Sequence, residues 1–192
     1  MMEFETINIL EMLDAYSETE VKKRLAEYSC PLNPEIERFV TENAIEFAKK
    51  KMSITYLVVN PKGEIVAIFT LTHKAIELSN KELSNSKRKK ISRYADLNSE
   101  SDSYIVSAFL IAQFGKNYSY ENAISGNDLM NLAMKALERV QREIGGGIVY
   151  LECEDKPELL GFYQNENNRF TIFDERYSKE DNTKYIQLYA IV

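Results

Sequence analysis

Three consecutive segments constrain this chain more than any other feature. Residues 104–113 form a nearly continuous apolar run. Leu129, Met130, Ala133, Ala136, Leu137 and Val140 then recur at three- and four-residue spacing, and residues 148–153 read as the next strand. A strand, a helix and a strand in this order make a βαβ unit, so the two strands are expected to run parallel, with the helix crossing one face in the right-handed sense. The first run has the look of a central strand covered on both faces. Ser125-Gly126-Asn127-Asp128 fits a capping box for the helix, and Gly145-Gly146-Gly147 stops it. Beyond Asp155-Lys156-Pro157 a short helix is expected through Tyr163. Residues 170–173 and 185–192 then read as a closing antiparallel hairpin.

The earlier part of the chain has a different texture. Residues 7–10 read as a short strand, and Ser17-Glu18-Thr19-Glu20 fits a capping box that opens a helix with Val21, Leu25 and Tyr28 on one face. After Ser29-Cys30-Pro31, Asn33 is placed to cap a second helix with Pro34 at its first position. Ile36, Phe39, Val40, Ala44, Phe47 and Ala48 make its apolar stripe. Residues 54–59 and 65–71 are β-rich and flank Asn60-Pro61-Lys62-Gly63, a turn sequence, which predicts an antiparallel hairpin. Residues 79–103 are polar, with the basic run Lys87, Arg88, Lys89, Lys90 and then Arg93, and read as an exposed insertion carrying one helical turn. The lineup is a mixed α/β sheet, antiparallel in its first half and parallel at the βαβ unit, in a single domain over residues 1–192.

Composition narrows the function classes. Lys and Arg number 24 against 30 Asp and Glu, a net charge of −6, which disfavours a general nucleic-acid binder or an anionic membrane surface as partner. No apolar run is long enough to span a bilayer. The start, MMEFETINIL, lacks the basic flank and apolar stretch of a secretory signal, and Cys30 and Cys153 are too few for a disulfide scaffold; a reducing cytoplasm is the expected compartment. With His73 the single histidine, no Cys/His zinc cluster is recognisable, and no metal is expected.

The order of elements, with Gln113-Phe114-Gly115, Ile124-Ser125-Gly126 and Leu159-Leu160-Gly161-Phe162-Tyr163 followed by Arg169-Phe170, resembles the GNAT superfamily of N-acetyltransferases across nearly the whole chain. The fold this implies is a mixed, mostly antiparallel sheet with a parallel, splayed central pair and flanking helices. In that family the central strand runs into a pyrophosphate loop of the form Gln/Arg-x-x-Gly-x-Gly/Ala at a helix N-terminus. Here residues 116–123 separate its two halves, and Arg169 stands where the family has a Gly before the last Phe. The resemblance implies acetyl-CoA as cosubstrate. Leu110, Ile111 and Gln113 would hold the pantetheine arm through their backbone, and Phe114, Gly115, Ser125, Gly126 and Asn127 would surround the pyrophosphate. A helix N-terminus suits phosphates because its free N–H groups and positive dipole end point at them. Asp128 must then fold back onto the cap.

Acetyl transfer to an amine needs a proton acceptor for the nucleophile and a proton for the departing thiolate. The resemblance makes Tyr163 the proton donor. For the base, alternation along residues 148–154 sets Tyr150, Glu152 and Glu154 on the face opposite Val149, Leu151 and Cys153, and a half-buried Glu152 with a raised pKa would serve. Against this stands an ordinary solvated strand-face acid, or an ordered water as base. His73 ranks below Glu152, and the cysteines read as apolar filler. The basic run is expected to form part of the acceptor wall.

Residues 28–39, Tyr28-Ser29-Cys30-Pro31-Leu32-Asn33-Pro34-Glu35-Ile36-Glu37-Arg38-Phe39, further resemble the Phe-x-Cys-x-x-x-x-Leu-x-x-Phe/Leu region of GNAT toxins from bacterial toxin-antitoxin pairs, which acetylate aminoacyl-tRNA. The net charge argues against that substrate. The reading is therefore an acetyltransferase acting on a primary amine of a small molecule, peptide or protein, in a ternary complex and as a possible homodimer through an exposed final strand. Its alternatives are a non-catalytic CoA-binding or interaction module and a toxin-like aminoacyl-tRNA acetyltransferase.

Overall fold

A computed structural model of the chain describes residues 4–120, 123–179 and 182–192. Its strands are β1 (Glu5–Asn8), β2 (Ile54–Val59), β3 (Ile65–Ser79), β4 (Leu97–Asn98), β5 (Ser103–Lys116), β6 (Ile148–Glu154), β7 (Thr171–Ser178) and β8 (Thr183–Ile191). The helices are α1 (Ile9–Ala15), α2 (Glu18–Leu25), α3 (Pro34–Arg38), α4 (Ala44–Lys49), α5 (Asn85–Ile91), α6 (Gly126–Ile144) and α7 (Pro157–Gln164). The strands follow the order β1-β2-β3-β5-β6-β8-β7, with the short β4 against β5. Two compact units divide the chain: Met1–Thr72 with Ile111–Lys135, and His73–Leu110 with Ala136–Val192.

In the first unit, β1, β2 and β3 are antiparallel neighbours. The expected strand over residues 7–10 stops at Asn8, because Asn8 caps a helix that the β-branched run conceals. Leu10 N–H donates to Asn8 Oδ1 at 2.9 Å, and Glu11 accepts from Asn8 N–H at 3.3 Å. Ser17 caps α2 with Glu20 as its reciprocal partner, as the sequence predicts. Asn33 caps α3, and α3 continues into α4 through one π turn at Phe39–Asn43. Val21, Leu25, Tyr28, Val40, Ala44 and Ala48 pack with Leu57 and Ile68 of the hairpin into a dry core. Thr55 and Thr70, paired across β2 and β3, satisfy each other's buried hydroxyls at 3.0 Å.

The second unit holds the parallel pair. Phe109 stands opposite Val149 and Leu110 opposite Tyr150. β8 runs antiparallel to both β6 and β7, so the final strand is internal and β7 is the edge, which corrects the expected exposed final strand. β5 is covered on both faces only in part: Ile105 is 59% exposed, but Phe109 and Ile111 on the same face are buried, as are Tyr104, Val106 and Ala108 on the other. The polar segment over residues 79–103 is less exposed than its composition suggests. Leu83 and Ile91 bury against Tyr104, Val106, Ile148, Tyr150 and Tyr189, so α5 is packed onto the sheet. Lys87 and Arg88 turn inward with it: Lys87 Nζ donates to Thr171 Oγ1 at 3.1 Å and Arg88 Nη2 to the Asn80 carbonyl at 2.7 Å. Only Lys89, Lys90 and Arg93 of the basic run face solvent.

Candidate functional site

In the first unit, β5 continues as a strand through Lys116. Gln113, Phe114 and Gly115 are therefore strand residues and not the start of a loop, which corrects the expected pyrophosphate turn at that point. Gly115 has its own reason to lack a side chain. A Cβ there would lie 2.7 Å from Tyr28 Oη and 3.2 Å from Ile36 Cγ2, and Tyr28 is 2% exposed with its hydroxyl unpartnered among the described residues. Burial, followed by the neighbouring Cys30, raises the Tyr28 phenol above its ordinary range, and burial likewise raises the Cys30 thiol.

The residue that sequence reasoning missed is Asn117. It is 2% exposed; its Oδ1 accepts from the N–H groups of Ser29 and Ser119, both at 3.0 Å, and its Nδ2 donates to the Ile65 carbonyl at 2.7 Å. Asn117 thus ties the end of β5 to β3 and to the segment before α3, with Tyr118 N–H donating to the Ser29 carbonyl at 2.8 Å. A lone Asn inside a polar stretch carries no periodic signal.

Of the following loop, Glu121 and Asn122 lie outside the described residues. The start of α6 matches expectation. Asp128 N–H donates to Ser125 Oγ at 3.1 Å, and Ser125 Oγ donates to Asp128 Oδ2 at 2.6 Å. The Asp128 carboxylate is thereby folded onto the cap, and helix geometry leaves the N–H groups of Gly126 and Asn127 without an intrahelical acceptor. Leu129, Met130, Ala133, Ala136 and Leu137 are buried, and they seat the helix on its apolar face.

In the second unit, the parallel pairing of β5 with β6 joins Phe109 to Val149 and Leu110 to Tyr150, and β6 runs on to Glu154. α7 starts at Pro157 and carries Tyr163 back against β6. Tyr163 is 8% exposed and packs edge-on against Phe162 and Phe170. Phe170 N–H donates to the Tyr163 carbonyl at 3.0 Å. Arg169, where the resembled family has Gly, has φ +56°, so the turn keeps a conformation that favours glycine. Burial, then the nearby Cys153, raises the Tyr163 phenol above its usual range. The Cys153 thiol is pushed up to about 11 by burial and by Asp155 and Glu154.

Glu152 lies on the other face of β6 from Cys153. Its Oε1 accepts from Tyr150 Oη and from Gln187 Nε2 at 2.7 Å, and its Oε2 from Arg176 Nε at 2.8 Å and Nη2 at 2.7 Å. Burial alone would raise its pKa; the hydrogen bonds from Arg176, Tyr150 and Gln187 outweigh that, and the carboxyl lies below its ordinary value. The expected raised pKa is thus reversed. The neighbouring Tyr150 phenol is raised by burial and by Glu152. His73 is exposed on β3. Among the described residues no group of three or more Cys, His, Asp or Glu could hold a metal ion, and no helix is long and apolar enough to cross a membrane.

No protein-family model matches the chain, and no curated protein matches it by sequence. Solved structures do. A structure of AtaT complexed with acetyl-methionyl-tRNAfMet superposes with a TM-score of 0.67 at 14% identity, covering 98% of this chain and 95% of that one. A tyrosine-to-phenylalanine mutant of KacT gives 0.63 at 12% identity, covering 95% and 94%. The NatC complex bound to Gag peptide and CoA gives 0.53 at 14% identity, covering 100% and 99%. The chain therefore has the fold shared by these proteins, a GNAT-like mixed α/β fold.

Proposed function

We propose that the protein is an acetyl-CoA-dependent N-acetyltransferase that moves acetyl to a primary amine by direct attack in a ternary complex. The observation that carries the reading is the GNAT-like fold over essentially the whole chain, with β5 and β6 as its parallel pair. In this reading the backbone of Leu110, Ile111 and Gln113 would hold the pantetheine arm. Ser125, Gly126 and Asn127 offer the pyrophosphate a helix N-terminus whose nearest carboxylate is already engaged.

In this reading Tyr163, protonated and ordered by its aromatic neighbours, donates the proton to the departing thiolate. Glu152 does not remove the amine proton: its oxygens are filled and its pKa lies low. It holds the architecture of the acceptor face, and water takes the ammonium proton. The likeness to AtaT, a protein complexed with acetyl-methionyl-tRNAfMet, favours an aminoacyl-tRNA acceptor as the second reading.

Acetyl-CoA titrated into the purified protein is expected to bind saturably, and amines then release free thiol. Tyr163→Phe keeps the binding and loses most of the release. Binding without release from any amine, peptide or aminoacyl-tRNA would leave a CoA-binding module and overturn the transferase reading.

A further inference from the structure

Tyr163 is the buried residue of α7, a helix of eight residues, and so short a helix does not hold a side chain in place by itself. What fixes its far end is the turn that follows, residues 165–170. Asn165 Oδ1 accepts from the N–H groups of Asn167 and Asn168, both at 2.9 Å, and Arg169 N–H donates to the Asn165 carbonyl at 2.9 Å. Arg169, at φ +56°, turns the chain within this loop. The loop so shaped sends two donors back to the helix. Asn168 Nδ2 donates to the Phe162 carbonyl at 2.8 Å, and Phe170 N–H donates to the Tyr163 carbonyl at 3.0 Å. Both acceptors belong to the last helical turn, whose carbonyls have no donor within the helix.

The same two phenylalanines set the ring. Phe162 and Phe170 pack edge-on against Tyr163, with centroids 5.0 and 6.0 Å away. Asn168 therefore anchors the backbone of one ring neighbour, and the other neighbour anchors Tyr163 itself. Of the two donors only Asn168 uses a side chain. One substitution removes it and leaves the Phe170 bond to hold the turn.

We propose that Asn168 is a positioning residue for the proton transfer: its amide, through the Phe162 carbonyl, sets the direction from which the Tyr163 phenol meets the departing thiolate. This rests on the transferase reading above and adds to it a residue that acts only through Tyr163. As the nitrogen–carbon bond forms and the carbon–sulfur bond breaks, the electron pair goes to sulfur and takes the Tyr163 proton; the phenolate is reprotonated by the proton the amine gives to water. A displacement of about 1 Å at such a donor costs up to about a hundredfold in rate, and it leaves binding alone.

The test has a readout besides turnover. Tyrosine ring 13C signals are recorded for wild type, Asn168→Ala and Asn168→Asp, whose carboxylate cannot donate, and the Tyr163 signal is assigned by its loss in Tyr163→Phe. The Tyr163 signal is expected to move in both Asn168 variants, while those of Tyr104 and Tyr150, which belong to the core beneath α5, stay in place. Asn167→Ala, whose side chain makes no hydrogen bond among the described residues, moves none of them. In turnover, Asn168→Ala is expected to lower kcat about tenfold, with acetyl-CoA affinity and the KM of the amine within about twofold. The double variant with Tyr163→Phe is expected to be no slower than Tyr163→Phe alone, because Asn168 then has no phenol to direct. An unmoved Tyr163 signal, an unchanged kcat, a loss of acetyl-CoA affinity as large as the loss of kcat, or losses that multiply in the double variant would each overturn the proposal. Absence of turnover in wild type, with the Tyr163 signal still moved by Asn168→Ala, would sink the transferase reading alone.

Discussion

Replacing Gly115 by Ala separates two explanations of the same glycine. If Gly115 let a pyrophosphate approach the backbone, an added methyl would weaken acetyl-CoA binding and leave stability intact. The structure predicts the reverse. The new Cβ would lie 2.7 Å from Tyr28 Oη and 3.2 Å from Ile36 Cγ2, well inside van der Waals contact. Tyr28 is a core side chain next to the buried Val21, Leu25 and Cys30, so its ring cannot swing away without repacking. Overpacking of this kind costs about 1–3 kcal/mol. The clash is with a hydroxyl that has no partner among the described residues, so Tyr28→Phe alone should be neutral or stabilising by up to about 1 kcal/mol. The double variant should then recover most of the Gly115→Ala loss, giving a coupling of about 1 kcal/mol or more. Urea midpoints at constant m-value read all four corners of the cycle. A Gly115→Ala protein within 0.5 kcal/mol of wild type, or one that Tyr28→Phe does not rescue, refutes the packing account.

Asn117→Ala removes three hydrogen bonds from a buried polar knot and should destabilise by about 2–4 kcal/mol in the same urea assay. Arg169→Gly, at a position with φ +56°, relieves left-handed strain and should be neutral or stabilising by up to about 1 kcal/mol; a loss of more than that would show that the Arg169 bond to the Glu166 carbonyl matters more. Glu152 is only 16% exposed and its pKa is depressed, so the stability it contributes is present above the ordinary carboxylate range and is lost as pH falls through its folded value. Glu152→Gln, which leaves Arg176 without its anion, should lower stability by about 1–3 kcal/mol at pH 7 and flatten the acid limb of the stability profile. Tyr163→Phe should lower kcat by about a hundredfold or more while leaving acetyl-CoA affinity within about threefold, as read by single-turnover thiol release.

Local chemistry made much of this architecture legible. Capping boxes at Ser17 and Ser125, the Asn33-Pro34 start and the Asn60-Pro61-Lys62-Gly63 turn each act within four residues, and each stands where its residues predict. The βαβ unit was readable because its helix and strands differ in hydrophobic period. What was hidden depends on distant partners. The polar residues 79–103 owe their packing to Leu83 and Ile91, two apolar residues too widely spaced to form a pattern. The burial of Asn117 and the closeness of Tyr28 to Gly115 join segments some 90 residues apart in sequence. At the candidate site, alternation along β6 placed Glu152 on the right face, yet its state is set by Arg176 and Gln187, which β7 and β8 supply from the far end of the chain. A carboxylate's pKa belongs to such partners, and no local window contains them.

The central claim is that this chain uses acetyl-CoA to acetylate an amine. Its most direct test is calorimetric titration of acetyl-CoA into the full chain, followed in the same sample by free-thiol release with and without a panel of amines. Saturable binding near one equivalent, with thiol release that requires the amine and is lost in Tyr163→Phe, is the predicted result. No heat of binding and no protection from thermal unfolding at millimolar acetyl-CoA would contradict the account at its root.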